Sequence, residues 1–382
     1  MNDRQLWVGL MSGTSLDGVD GVAAWLGPEG QWLGSAAHAF EPLPPALHAE
    51  LLALNTPTDN ELHRAALAAQ EVSRCYAQVV AKLQTQLHAT QPGLTPQGIG
   101  AHGQTVRHRP EMGYTLQLIN PALLAELTGL PVVADFRSRD VAAGGQGAPL
   151  VPVFHQAVFS QVETDVVVAN IGGMANVSLL PATRDSRPPM GFDCGPGNVL
   201  MDLWCQQHRG TPYDADGAWA RTGQVNPDWL ALAMAEPFFA LHPPKSTGRD
   251  LFNPAWLAAW LLRCGSPQPA QAADVQATLC ELTAQSMAQA MVQACPAVGE
   301  VLVCGGGALN AHLMARLAAQ LHALRGQSVA VHSTATRGLP PMEVEAAAFA
   351  WLAWACQHQA AGNVPAVTGA RGPRVLGAIY PA

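Results

Sequence analysis

An aspartate set among glycines ahead of a helix-forming run can meet a substrate closely, and Gly191-Phe192-Asp193-Cys194-Gly195-Pro196-Gly197-Asn198 supplies one. A carboxylate there can take a proton as a general base, while the N–H groups from Gly195 to Asn198 can face a phosphate. The same residue types build an ordinary Asx turn before a helix, so both readings stay open on the motif alone. Cys194 has no histidine close in sequence to activate it as a nucleophile.

Three glycine-bearing segments could hold the phosphates and base of a nucleotide. In the first, Leu6 to Leu26, two apolar runs are joined by Ser12-Gly13-Thr14-Ser15-Leu16-Asp17-Gly18, with Val19 and Asp20 opening the second run. Small and hydroxylated residues there let backbone N–H groups approach an anion. The Gly-Lys-Ser/Thr of a P-loop is absent, and a strand rather than a helix follows. In the second, Asp165 to Leu180, the strand Val166–Ala169 runs into the turn Asn170-Ile171-Gly172-Gly173 and on to another strand. In the third, Val301–Val303 leads into Gly305-Gly306-Gly307 and a helical pattern through Leu309, Leu313 and Leu317. That pattern suits a flat polar ring, or a phosphate at the helix N-terminus.

The composition is that of a compact enzyme. The chain has 382 residues, enough for two lobes, with 49% hydrophobic and 13% charged residues to fill large cores. A net charge of −8, with Lys82 and Lys245 as the only lysines and no basic run, argues against nucleic acid as a partner. No apolar stretch reaches a membrane-spanning length and no cationic leader opens the chain, so a cytoplasmic setting without a membrane partner is expected. Eight scattered cysteines, with no Cys-x-x-Cys pair, argue against zinc and for reduced thiols.

Periodicity predicts helices over Leu47–Leu54, Ala65–His88, Pro121–Thr128, Asn198–Gln207, Pro254–Leu262, Asp274–Ala294, Ala311–Leu324 and Glu343–Gln359. A strand end and turn falls at Ile99–Val106, a short buried strand at Val132–Ala134, and loops at Asp135–Leu150 and Gly362–Gly377. A helix within Pro152–Thr164 is expected to cross from an N-terminal lobe, residues 1–155, to a C-terminal lobe, residues 156–382, with the last helix able to cross back. No internal repeat is readable.

Two hairpins followed by a strand-glycine-helix resemble the first phosphate, second phosphate and adenosine elements of the acetate and sugar kinase, heat-shock chaperone and actin superfamily. This resemblance implies an α/β, two-lobed actin-like ATPase fold, with ribonuclease H-like mixed sheets flanked by helices and a nucleotide in the interlobe cleft. A wider set of motifs spans almost the whole chain. It adds Ala101-His102-Gly103-Gln104-Thr105, Ala134-Asp135-Phe136-Arg137-Ser138-Arg139-Asp140, Gly144-Gly145-Gln146-Gly147-Ala148-Pro149-Leu150 and Pro244-Lys245-Ser246-Thr247-Gly248-Arg249 to the glycine segments and Asp193. Together they resemble the anhydro-N-acetylmuramic acid kinase family.

The resemblance implies an ATP- and Mg2+-dependent enzyme of cell-wall recycling, cytoplasmic and homodimeric. Such an enzyme opens the 1,6-anhydro ring of its sugar with water and phosphorylates O6, giving N-acetylmuramic acid 6-phosphate and ADP. An anhydro sugar carries no proton on that oxygen, so water must be the activated group. Carried over residue by residue, Gly13, Thr14, Ser15, Leu16, Asp17, Gly18, Val19 and Asp20 match the ATP phosphate segment, and Asp193 the catalytic base. Arg137 and Glu343 sit where the family places sugar contacts, and His102 is a further candidate. Asn170, Gly172, Gly173, Gly195, Gly197, Asn198, Gly305, Gly306 and Gly307 are the remaining nucleotide candidates. The metal shell is unassigned, with Asp17 and Asp193 as possible ligands. Lys245 follows Pro243 and Pro244 rather than a glycine loop, so a contact with substrate or with the other lobe is expected. A kinase of an ordinary sugar or acid on this fold, or a nucleotide-switched actin-like binding protein, are the competing readings.

Overall fold

The computed structural model describes residues 4–13 and 15–382. The chain divides into two compact units, Met1–Val158 with Glu343–Ala382, and Phe159–Met342. The helix at the junction is Val151–Phe159. Residues 343–382, grouped with the second lobe in the sequence reading apart from a helix able to cross back, lie in the first unit.

The first unit is built on β1 (Gln5–Met11), β2 (Gly18–Leu26), β3 (Trp32–Pro42), β4 (Ile99–Ala101) and, after the hairpin β5 (Gln104–Arg109) and β6 (Tyr114–Leu118), β7 (Val132–Ala134). Its order is β3-β2-β1-β4-β7, extended by a strand from the C-terminal tail. The first three strands are antiparallel, while β4 and β7 continue parallel to β1. The second unit repeats this plan with β8 (Val166–Ile171), β9 (Met174–Leu180), β10 (Met190–Pro196), β11 (Glu300–Cys304) and β12 (Ala330–Ser333), in the order β10-β9-β8-β11-β12. Here too the first three strands are antiparallel, and β11 and β12 run parallel to β8. This is the ribonuclease H-like arrangement that the resemblance implies, and its duplication leaves no internal sequence repeat because repeated topology does not require repeated residues. The tail strand β13 (Ala378–Tyr380) pairs antiparallel with β7.

Helix length and packing follow from apolar spacing. Helix Glu61–Thr90 buries Val72, Tyr76, Val79, Val80 and Leu83 along one face, each contributing about 1.5–3 kcal/mol of transfer free energy. Helix Val344–Gln357 is held against β1 and β4 by close backbone approach. A Cβ at Gly9 would collide with the Ala346 carbonyl, and one at Gly100 with the Phe349 carbonyl. That pair of glycines, with the alanine-rich face of the helix, ties the C-terminal segment to the first unit. The stretches 135–150 and 362–377, expected as loops, each contain one short helix, Ser138–Ala142 and Pro365–Thr368. Both are organised around buried Asp140, which accepts from the Gly147 N–H at 2.8 Å, Asn363 Nδ2 at 2.6 Å and Thr368 Oγ1 at 2.8 Å.

Candidate active site

Parallel strands of an α/β sheet present ligands at their carboxyl ends, and the glycine segments after β1, β8 and β11 fall there. In the second unit, Asp193 is not in a turn before a helix. It lies on β10 at an irregularity, where the pairing with β9 shifts between Asp193 and Gly195. Its N–H donates to the Lys245 carbonyl at 3.1 Å. Its Oδ2 accepts from Ser246 Oγ at 2.9 Å and from the Thr247 N–H at 2.9 Å, while Oδ1 has no partner among the described residues. Burial pushes the carboxyl above its ordinary range despite these two bonds, which favour the ionised form. The result is a stronger base with one oxygen immobilised. Cys194 is fully buried and its thiol is pushed up by that burial, so it offers no nucleophile.

The phosphate candidates divide by what their backbone already does. Gly197, Asn198 and Val199 donate their N–H groups to the Gly173, Gly172 and Gly173 carbonyls at 2.9, 2.8 and 3.1 Å. The expectation that Gly197 and Asn198 offer these N–H groups to a phosphate is thereby corrected. Gly195 sits beneath the Phe239 ring, which a Cβ would approach to 2.6 Å. Asn198 instead turns its amide toward the Ile171 carbonyl, 3.2 Å away. Gly305 has φ +74°, and a Cβ there would come to 2.5 Å from Asn170 Oδ1, so the strand end closes on the β8–β9 turn. Gly307 packs on Ile171 in the same way, whereas Gly306 faces open space bounded by Asn198 Nδ2 at 3.6 Å. The helix after them, Ala311–Arg325, starts only beyond the 3-10 turn Gly306–Leu309. Its first N–H groups are taken by Asp216 Oδ1, on Ala311 at 3.0 Å, and Asn310 Oδ1, on Leu313 at 3.0 Å. The expected phosphate seat at this helix start is therefore closed, and the glycines themselves remain as the open surface.

In the first unit the loop between β1 and β2 splits similarly. Gly13 is open, with only Ser15 Oγ within 4 Å of an added Cβ, and Asp17 is exposed. Leu16 and Val19 are 4% and 0% exposed and belong to the core, while Gly18 packs against Phe40 and the Glu41 carbonyl. These three support the loop. Asp20 sits in the β2 ladder with His38 Nε2 at 3.4 Å from Oδ1. Thr14 lies outside the described residues. Gln104, which sequence reasoning left unassigned, donates to the Gly13 carbonyl at 3.1 Å and sets the height of the loop.

Beside this loop, His102 and Arg137 come together at the ends of β4 and β7. The Arg137 guanidinium donates to His102 Nε2 at 3.0 and 2.9 Å and to the Gly147 carbonyl at 2.7 Å. Burial lowers both groups, and the cationic guanidinium lowers His102 further. Arg137 is thus not paired with Asp135 or Asp140. Phe349 packs on His102 at 4.7 Å between ring centroids. One turn earlier on the same helix, Glu345 is the first carboxylate whose field reaches Arg137. Glu343, the expected sugar contact, lies within electrostatic reach of His38, and its Oε2 is buried without a partner among the described residues.

Lys245 is held by carbonyls of its own unit. Its ammonium caps the Phe238 and Phe239 carbonyls at 3.4 and 3.5 Å and sits over the Phe238 ring.

A duplicated ribonuclease H-like sheet with glycine turns at its strand ends and a raised, oriented carboxylate on β10 defines an actin-like ATPase fold equipped for phosphoryl transfer. The family model described as anhydro-N-acetylmuramic acid kinase matches residues 5–382. Two curated proteins of that description are highly similar. One from Variovorax paradoxus is 56% identical over 384 residues, covering 99% of this chain and 99% of the relative. One from Bordetella petrii is 57% identical over 379 residues, covering 99% of this chain and 97% of the relative. Among solved structures, the activator of a 2-hydroxyisocaproyl-CoA dehydratase from Clostridium difficile aligns at 13% identity and TM-score 0.45, over 93% of this chain and 97% of that one. The chain belongs to the anhydro-N-acetylmuramic acid kinase family.

Proposed function

We propose that this kinase uses ATP to open the 1,6-anhydro ring of anhydro-N-acetylmuramic acid with water and to phosphorylate the released O6. The observation that carries the reading is Asp193, a carboxyl raised by burial with Oδ2 held by Ser246 and Thr247 and Oδ1 left to a reactant. A water proton passes to Oδ1 as the water oxygen attacks the anomeric carbon, and the departing O6 takes the phosphoryl group. Coupling the two steps suits a substrate whose 6-oxygen has no proton to give up.

In the first unit, His102 and Arg137 suit a sugar acid. The Arg137 fork is matched to carboxylate, and the buried Nδ1–H of His102 has no acceptor among the described residues. In each unit taken by itself, open glycine positions suit close approach of a phosphate: Gly13, beside Ser15 and Asp17, in the first, and Gly172, Gly173 and Gly306 in the second. No group of three or more His, Cys, Asp or Glu side chains is gathered for a metal among the described residues. Magnesium fits this donor set as an ion carried on the phosphates, with Asp17 or Asp193 as a single carboxylate ligand. When bound it offsets phosphate charge.

A homodimer belongs to the same reading, and light scattering on the eluted protein tests it. So does a cytoplasmic setting, in keeping with no described helix being long and apolar enough to cross a membrane. The reaction is tested by mass spectrometry after incubation with Mg-ATP and the anhydro sugar in oxygen-18-labelled water. One solvent oxygen at the anomeric carbon of a sugar phosphate supports it. ADP formed only with an ordinary sugar acceptor would replace the substrate.

A further inference from the structure

The segment Pro244 to Arg249 has a role beyond holding Asp193. It is anchored at three points, by Lys245 Nζ on the Phe238 and Phe239 carbonyls, by Ser246 and Thr247 on Asp193 Oδ2, and by the Gly248 carbonyl. The last accepts from the Leu251 and Phe252 N–H groups at 3.2 and 3.1 Å, and Phe252 is fully buried. A segment fixed this way delivers its next side chain to a defined place. That side chain is Arg249, and its destination is the second phosphate turn. The space a side chain would fill at Gly173 is open, bounded within 4 Å only by an Arg249 terminal nitrogen at 3.9 Å and Val199 Cβ at 4.0 Å. Arg249 has no ion-pair partner among the described residues, although eleven such pairs bind other cations.

We propose that Arg249 is a further catalytic residue, a guanidinium that binds the transferred phosphoryl group over the Gly172-Gly173 turn. This rests on the phosphotransfer reading above. As water gives its proton to Asp193 and its oxygen bonds the anomeric carbon, the C1–O6 bond breaks with its electron pair moving onto O6. O6 then bonds the γ-phosphorus, and the bond from that phosphorus to the β,γ-bridging oxygen breaks, its pair leaving on ADP. Negative charge is spread over the equatorial and leaving oxygens throughout. A planar guanidinium fork matches two of them at once, which an ammonium does not. Lys245 cannot substitute, because its charge is already committed to two carbonyls. One anchored hexapeptide therefore holds the base, through Ser246 and Thr247, and carries the charge stabiliser.

The test uses the full chain carrying Arg249→Ala or Arg249→Lys, with equilibrium binding of ADP and of a non-hydrolysable ATP analogue measured beside turnover. For Arg249→Ala, ADP affinity should stay within about twofold while analogue affinity drops roughly tenfold and kcat falls by about 10²–10³, the usual loss for one charge-stabilising donor. Lysine should retain an intermediate kcat, and guanidinium ion at millimolar concentration should restore part of the alanine variant's turnover. Equal loss of ADP and analogue affinity without guanidinium rescue would assign Arg249 to loop structure and overturn the proposal. So would analogue affinity and kcat within about twofold of the parent. Should the parent protein form no sugar phosphate, the reaction reading fails separately, and discrimination between analogue and ADP still decides the Arg249 contact.

Discussion

Arg137 donates two hydrogen bonds, at 3.0 and 2.9 Å, to the same ring nitrogen of His102, so that imidazole is a neutral acceptor with its remaining proton on Nδ1. A protonated His102 would set two cations against each other in a buried site. The pair thus keeps the histidine a neutral hydrogen-bond donor through Nδ1 rather than an acid.

Stability should consequently fall on acidification. His102 is held well below 6.5, chiefly by burial, and burial takes His155 down to about 3. Below pH 6.5 the unfolded chain binds protons that the folded chain refuses, so unfolding gains free energy as pH drops. Each histidine contributes a slope of up to about 1.4 kcal/mol per pH unit. Calorimetry at pH 7 and pH 5 should show a lower Tm at pH 5, with a shallower pH slope in His102→Gln.

Asp193→Asn should fold, bind nucleotide as the parent does, and lose turnover by several orders of magnitude, through loss of the base that also orients water. The pH profile of kcat/KM in the parent should show an acidic limb above the ordinary carboxylate range, because a raised base is protonated, and inactive, up to a higher pH. Near-normal turnover in the variant would place the base elsewhere.

Two carboxylates near the start of the helix Val344–Gln357 should separate functionally. Glu345→Gln removes a charge felt by Arg137 and should lower kcat/KM for the sugar by roughly tenfold. Glu343→Gln, whose charge is felt by His38, should change it by less than about threefold. Steady-state kinetics with the anhydro sugar varied at saturating ATP makes the comparison.

Glycines should likewise divide into structural and ligand-facing sets. A Cβ at Gly197 meets the Gly172 carbonyl, so Gly197→Ala should lose about 1–3 kcal/mol of stability by overpacking. Gly13→Ala and Gly306→Ala meet nothing closer than 3.8 and 3.6 Å, so they should keep the parent Tm and raise KM for ATP. Thermal melts by circular dichroism paired with ATP titrations read both effects.

Long helices and glycine hairpins were legible because their signals are local. The 3.6-residue spacing in Glu61–Thr90 and the turns at Gly172-Gly173 and Gly305–Gly307 lie within one window of sequence. Pro121–Thr128 and Val132–Ala134 were predicted with the bounds observed. The β5–β6 hairpin, β12 and β13 were not, since a strand of three to six residues acquires its identity from a partner that the local pattern does not name.

The sequence by itself determined the family and marked Asp193, His102 and Arg137 as candidates, because each rests on residue types in fixed motifs. Tertiary structure alone decided which groups within those motifs are free to act. Gly197 and Asn198 donate to the Gly173 and Gly172 carbonyls, Ser246 and Thr247 donate to Asp193, and Arg249 reaches Gly173, 76 positions earlier in the chain. A donor's availability depends on whether an acceptor lies within about 3 Å, and that is set by contacts between segments far apart in sequence.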